Sequence, residues 1–318
     1  MIKTVLCISI FFIGIISLFA LDSIPGISGM TKINDNSFLI VRDLKNPIQK
    51  GNRLGIVTIL KNRINYQPVE VNNWKDKEGT PSDLEAVCGI SGTKNEYLVA
   101  ESGYYKHKFG RVFRIKLFKN DKEWKAEVLN VLRIYEVTLD RKGSTPSAYQ
   151  NEGMGCISFN KKTVLIYTTR GKAEKGKLAS IIWGEVNFNN NTFKKMGEST
   201  LVVKTLLGDR DCSDLYIVKE SDTAYKLWAV STVDSGDLGP FVSEIYSPGK
   251  IIIQMGTVQF IPNSEYDNGL LINGLKIEAL AAPADLIPKS KFSIGTDDEI
   301  YGGVWRPIGL AKKIKLSS

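Results

Sequence analysis

Residues 83–102 read DLEAVCGISGTKNEYLVAES, and the fold turns on whether this stretch stands alone or recurs. It recurs. NEGMGCISFNKKTVLIYTTR (151–170) and CSDLYIVKESDTAYKLWAVST (212–232) share its plan: an acidic residue, a short apolar segment, a polar turn, then a β-branched or aromatic strand ending in a polar pair. ISGMTKINDNSFLIVRD (27–43) follows it with Gly29 in place of the acid, and KIEALAAPADLIPKSKFSIGTDDE (276–299) follows it with a longer turn. The markers Gly29, Glu85, Glu152, Asp214 and Glu278 stand 56, 67, 62 and 64 residues apart. A period of that size belongs to architectures built from stacked or radial units.

Each unit has room for a second pair of strands. GRVFRIKL (110–117) and SIIWGEVNF (180–188) alternate apolar and polar residues as half-buried strands do, and FVSEIYS with KIIIQMG (241–256) does so less cleanly. With no helical periodicity beyond the first residues, this predicts an all-β propeller of five four-stranded blades. A sixth blade has space only in residues 118–145 or 254–273. A β-sandwich suits short strands equally well but has no reason to repeat every ~60 residues. The last strands, around Val304 to Lys315, are expected to pair with an early segment so that no sheet edge stays open.

The chain has 318 residues, 43% hydrophobic and 24% charged, an ordinary globular composition. Its start is different. Lys3 is the only charge before VLCISIFFIGIISLFA (5–20), an apolar run that ends on the small residue Ala20 and is shorter than the roughly 20 residues of a spanning helix. Residues 1–20 therefore read as a cleaved signal peptide, and 21–318 as one exported domain, periplasmic, secreted or in the cell envelope, with no membrane span. Cys7 lacks the small residue before it that a lipid-bearing cysteine needs. Of the others, Cys88, Cys156 and Cys212 show no CxxC spacing, and three cannot all pair, so all are expected to be buried apolar residues rather than a disulfide framework. The formal charge of +8 favours anionic partners, but the basic residues are scattered and give no nucleic-acid patch.

In a propeller, residues at one repeat phase converge on the central channel. Glu85, Asp214 and Glu278 would face one another there, and carboxylates that close raise one another's pKa or recruit a cation, for which calcium with its six to eight oxygen ligands is the natural choice. Glu152 joins them if its unit is registered on NEG; registered on the apolar residues, Gly155 takes the place and Glu152 lies upstream. TDDE ends the second strand of the last unit, so Asp297, Asp298 and Glu299 are expected on the same rim, able to bind a metal or to form a polar turn. Arg42, Arg170 and Arg306 lie at or near that rim and suit bidentate binding of an anionic ester. The plainer alternative is that the strand-start acids bond backbone amides between blades.

Taken in order, DLEAV, LVAESG, GRVFRIKL, NEGMG, KIEAL and GTDDEIYGGVWRP resemble the propeller family known for the "esterase-like activity of phytase", and more loosely the SdiA-regulated propellers. The resemblance spans residues 27–310. It implies an exported propeller, hydrolysis of phosphoric or carboxylic esters and a calcium-type site. Asp83 and Glu85 match that family's DLEG element, with Ala86 replacing the glycine, and Asn151, Glu152 and Gly153 match its NEG. Gly155 and Cys156 depart from the acidic-glycine pair that follows.

Other chemistries find little support. His107, the only histidine, lies in YYKHKFG, a surface turn that would hold a catalytic base poorly. No GxSxG, HExxH, P-loop or GxGxxG occurs, and Ser91-Gly92-Thr93-Lys94 spells SxxK only within a polar turn. Two functions remain: a calcium-dependent ester or phosphoester hydrolase, or a non-catalytic propeller that binds a small anionic ligand or a protein on its rim.

Overall fold

The computed structural model describes residues 24–45, 49–74, 76–77, 79–103, 110–134, 150–171, 178–201, 210–233 and 235–309. The leader, Cys7, His107 and residues 310–315 lie outside them. Five sets of consecutive antiparallel strands succeed one another. The first is β1 (Gly29–Asn34), β2 (Ser37–Val41), β3 (Leu54–Ile59) and β4 (Ile64–Asn72). The second is β5 (Leu84–Gly89), β6 (Glu96–Glu101), β7 (Arg111–Asn120) and β8 (Glu123–Arg133). The third is β9 (Asn151–Phe159), β10 (Lys162–Thr169), β11 (Ser180–Asn187) and β12 (Thr192–Thr200). The fourth is β13 (Arg210–Lys219), β14 (Ala224–Val233), β15 (Val242–Gln254) and β16 (Thr257–Asn273). The fifth is β17 (Ile277–Ala281), β18 (Phe292–Thr296) and β19 (Trp305–Ile308).

Within each set the strands lie side by side in chain order. The first strands of the sets touch in sequence, β1 to β5, β9, β13 and β17, and β17 returns to β1. Burial follows from this ring. The buried apolar side chains of the described residues form five clusters, each shared by two neighbouring sets: Leu39 and Leu54 with Val99 and Phe113, Leu98 and Val112 with Leu165 and Tyr167, Ile166 and Trp183 with Leu227 and Tyr246, Val230 and Ile245 with Ile294 and Phe292, and Phe38 and Ile40 with Ala279 and Trp305. A sheet whose two faces are both covered this way hides its apolar residues without needing helices. The arrangement is that of a propeller.

Several expectations need correcting. Among the described residues the fifth set has three strands, not four, and no sixth set appears: residues 118–133 fall in β7, β8 and the turn between them and residues 257–273 form β16, while 135–145 lie outside the described residues. FVSEIYS and KIIIQMG are not a pair but one strand, β15, which passes Pro248-Gly249 by shifting register against β16. The first two sheets join at their outer edges, where β4 runs parallel to β8 from Glu70 opposite Lys125 to Asn72 opposite Glu127. Of the stretch Val304 to Lys315, only residues 304–309 are described, and they do not form a strand of the first sheet. β19 pairs with β18, and the early chain meets this region at one bridge, Ile24 with Gly303. Cys88 and Cys156 are not free: they form a disulfide between β5 and β9, with Cα atoms 6.1 Å apart, and among the described residues Cys212 alone is a buried free thiol. No helix of the described residues is long and apolar enough to cross a membrane.

Neighbouring inner strands pack closely near their starts. A Cβ on Gly29 would come within 2.5 Å of the Glu85 carbonyl oxygen, and one on Gly153 within 2.5 Å of the Leu215 nitrogen. These inner strands approach so closely that only glycine fits. A cavity of about 280 Å³ lies at the end where the inner strands begin, and one of about 260 Å³ lies at the other end.

Candidate active site at the charged mouth

Three blades deliver their acid by the same local device. At Glu85 the pairing steps from Leu84 opposite Glu101 to Ala86 opposite Ala100, so β5 carries one residue more than β6. The same step occurs at Glu152, between Asn151 opposite Thr169 and Gly153 opposite Thr168, and at Glu278, between Ile277 opposite Thr296 and Ala279 opposite Gly295. Such a bulge bends the strand and re-aims the extra side chain. Glu152 is thus in register with Glu85 and Glu278, and Gly155 is not the equivalent position.

Asp214 differs. Its opposite residue is Val230, inside the end pair of Arg210 and Thr232, which sets it deeper than the other three. Its carboxylate accepts the amide of Leu215 at 2.7 Å and the amide of Leu280, on the neighbouring blade, at 2.6 Å. This is the between-blade amide role, and it takes Asp214 out of the mouth. Burial raises its pKa well above the usual range, against the two amides that lower it.

The mouth cavity is lined by Asp43, Lys45, Asp83, Glu85, Gln150, Arg170, Arg210, Lys276, Glu278 and Glu299. Three of the acids expected there are present: Glu85, Glu278 and Glu299. Of the three arginines, only Arg170 faces it. Arg42 donates from Nη1 to the Asn52 carbonyl at 3.1 Å instead, and Arg306 is exposed on β19. Asp298 stabilises the turn, accepting the Lys276 amide at 2.7 Å and the Thr296 hydroxyl at 2.7 Å. Asp297 lies against Gly26, where a Cβ would come within 2.3 Å of its Oδ1. Burial, then Glu278 and Asp43, push its pKa up to about 7.

The sequence reading missed Lys45, Gln150, Arg210 and Lys276, and gave Asp43 and Asp83 no site role. A signal was present. Asp83, Gln150 and Lys276 each stand two residues before a bulged acid, and the two-residue period of a strand turns both toward one side.

The acids are paired with cations rather than left open to a metal. Arg170 donates from Nε to Glu152 at 2.6 Å, and Arg210 from Nη1 to Glu278 at 2.6 Å. Lys276 lies 3.2 Å from Glu278 and also holds Glu299, while Lys45 lies 3.3 Å from Asp43 and 3.7 Å from Asp83. Among the described residues no three acids, cysteines or histidines form a group suited to a metal ion. This donor set does not fit the expected calcium.

Glu85 is the exception. Its carboxyl is buried, lines the cavity and makes no hydrogen bond or ion pair with a described residue. Burial, then the nearby Asp83, Glu152, Asp43 and Glu278, raise its pKa well above the ordinary glutamate range. Glu278, in the same cavity, goes the other way: burial opposes its charge, but Arg210, then Lys276 and Arg170, hold its pKa below the ordinary value. Glu152 stays raised despite Arg170, because its burial outweighs that partner. Gln150 adds a further feature, since its buried Oε1 has no hydrogen-bond partner among the described residues.

The fold has counterparts among solved structures, although no family model and no curated protein matches the chain. An exo-1,5-α-L-arabinanase from a bovine ruminal metagenomic library is 11% identical and superimposes with a TM-score of 0.50, covering 92% of this chain and 96% of its own. A thermostable family-43 glycoside hydrolase is 8% identical, with a TM-score of 0.48 over 91% of this chain and 90% of its own. An exo-β-1,3-galactanase from Phanerochaete chrysosporium is 10% identical, with a TM-score of 0.45 over 89% of this chain and 60% of its own.

Proposed function

We propose that this chain is a five-bladed propeller hydrolase, with its reaction centre in the charged mouth. The observation that carries the proposal is that two carboxyl groups of one cavity have opposite surroundings: Glu278 is bonded to Arg210 and lies 3.2 Å from Lys276, whereas Glu85 is buried beside other carboxyl groups, and the two pKa values shift in opposite directions. Such a split assigns the acid and the base. In this reading Glu85, whose pKa burial and its acidic neighbours raise well above the ordinary glutamate range, is the acid that gives its proton to the leaving oxygen. Glu278, held as a carboxylate by Arg210 and Lys276, takes a proton from the attacking water as that water's oxygen bonds to the reacting carbon.

The lining also bears on the substrate. It has five carboxyl groups and four cations, so a neutral Glu85 leaves four of each sign. A balanced set of closely paired donors and acceptors suits a neutral, hydroxyl-rich ligand better than a polyanion, which would meet carboxylates beside every cation. The orphan Gln150 Oε1 would accept a substrate hydroxyl. Sugar cleavage, the activity named for the arabinanase, is therefore the first to test. A second reading follows the phytase-like resemblance and is favoured by Arg170 and Arg210, whose guanidinium groups face the cavity: hydrolysis of an anionic ester. An exported location is supported by the leader-like start and by the Cys88–Cys156 disulfide, which suits an oxidising compartment.

The test is turnover of p-nitrophenyl α-L-arabinofuranoside, β-D-galactoside, phosphate and acetate, each with calcium and with chelator. Glycoside turnover unchanged by chelator is expected. Phosphate or acetate turnover abolished by chelator would move the assignment to the calcium-dependent ester hydrolase. Flat traces throughout would leave a binding propeller.

A further inference from the structure

Just outside the mouth, the chain after β18 makes a 3₁₀ turn at Glu299–Tyr301. Glu299 points into the cavity, where Lys276 holds it, while Ile300 and Tyr301 are each 66% exposed. That contrast is built into the backbone. Glu299 has φ +52°, a left-handed conformation that glutamate rarely takes. Strain of this kind persists only where the surroundings impose it, and it concentrates at ligand sites.

The surroundings here are rigid. The Tyr301 amide donates to the Asp298 carbonyl at 3.0 Å, the Gly302 amide to the Glu299 carbonyl at 3.1 Å, and the Asp298 amide to the Gly302 carbonyl at 2.9 Å. Lys276 fixes the start of the turn through Asp298, and the Gly303 amide fixes its end on the Ile24 carbonyl at 3.1 Å. The aromatic ring therefore stands on a braced support, two positions after a side chain that lines the cavity.

The cavity itself is small. At about 280 Å³ it falls below the roughly 300–1,000 Å³ of pockets that enclose drug-sized ligands, so it holds about one ring-sized unit. Whatever is attached to that unit must leave across the rim. Resting on the sugar-hydrolase reading above, we propose that the Glu299–Tyr301 turn is an outer subsite, on which the Tyr301 ring, flanked by Ile300, packs against the next sugar ring of an oligosaccharide. A tyrosine offers a flat apolar face at little entropic cost, and the C–H face of a sugar is its complement.

The test uses the full protein carrying Glu85→Gln, so that ligands bind without turnover. Affinities are measured for α-1,5-arabinotriose and β-1,3-galactotriose and for arabinose and galactose. The triose matched to the cavity should bind more tightly than its monosaccharide. Tyr301→Ala should then weaken the triose about tenfold and leave the monosaccharide unchanged, while Tyr301→Trp should retain triose binding. A triose that binds no more tightly than its monosaccharide, or a Tyr301→Ala variant that weakens both or neither, overturns the outer subsite alone. Absence of all sugar binding overturns the sugar-hydrolase reading, and the subsite with it.

Discussion

The two ends of the channel have nearly equal cavities, about 280 Å³ at the mouth and about 260 Å³ opposite, and opposite chemistry. The mouth is lined almost wholly by charged residues. The other end is lined by Met30, Val87, Met154, Leu215, Tyr216, Ile217 and Leu280, with Lys32 as its only charged residue. Lys32 is already engaged, by the Pro283 carbonyl at 2.9 Å and by Asp285. The inner strands β5, β13 and β17 contribute to both cavities, so volume and backbone alone do not distinguish them. The difference lies in which residues occupy the bulged strand starts, and chemistry belongs where charges are buried and partly unpaired.

That contrast can be broken or sharpened by substitution. The largest effect is expected at the acids of the mouth: Glu85→Gln and Glu278→Gln should each lower kcat about 10²–10⁴-fold while leaving the thermal unfolding profile cooperative. Arg210→Met comes next. It removes the nearest partner of a buried carboxylate, so Glu278 should titrate higher, and chemical denaturation should show a loss of about 3 kcal/mol. Asp214→Ala strips the acceptor from two buried amides and should cost about 2–3 kcal/mol of stability with kcat unchanged, which would mark Asp214 as structural.

Asp297 adds a pH signature. Its folded pKa of about 7 lies above its ordinary 3.8, so its contribution to stability is fully present below about pH 4 and is lost as pH rises through 7. Melting temperatures of the wild type should decline across that window, and Asp297→Asn should flatten the decline. The smallest effect is expected at the opposite end, where Met30→Leu conserves volume and should change stability by less than about 1.5 kcal/mol and kinetics not at all. A kinetic effect there would merge the two ends into one functional unit.

The repeat, the inner strands and the convergence of Glu85 and Glu278 were legible in the sequence, because an acid before an apolar run recurs at a steady interval. Less was legible where a local irregularity decides. The displaced register of β13 hides Asp214 from the mouth, and nothing in CSDLYI distinguishes its aspartate from the glutamates of the other blades. Cys88 and Cys156 pair because β5 and β9 are neighbours in the ring, a relation that counting three cysteines does not reveal. Arg42 and Arg306 sit close to strand ends in the sequence, yet one turns to the Asn52 carbonyl and the other to solvent. The cations beside Glu278, Arg210 and Lys276, open blades with no marker other than their place two to four residues before an acid.

If Glu85 works as the protonated acid and Glu278 as the ionised base, the pH dependence of kcat/KM on the substrate that proves active should show both. A bell is expected, falling on the alkaline side as Glu85 loses its proton and on the acid side as Glu278 gains one, with the alkaline limb abolished in Glu85→Gln. A wild-type rate and an unchanged bell in Glu85→Gln would contradict it.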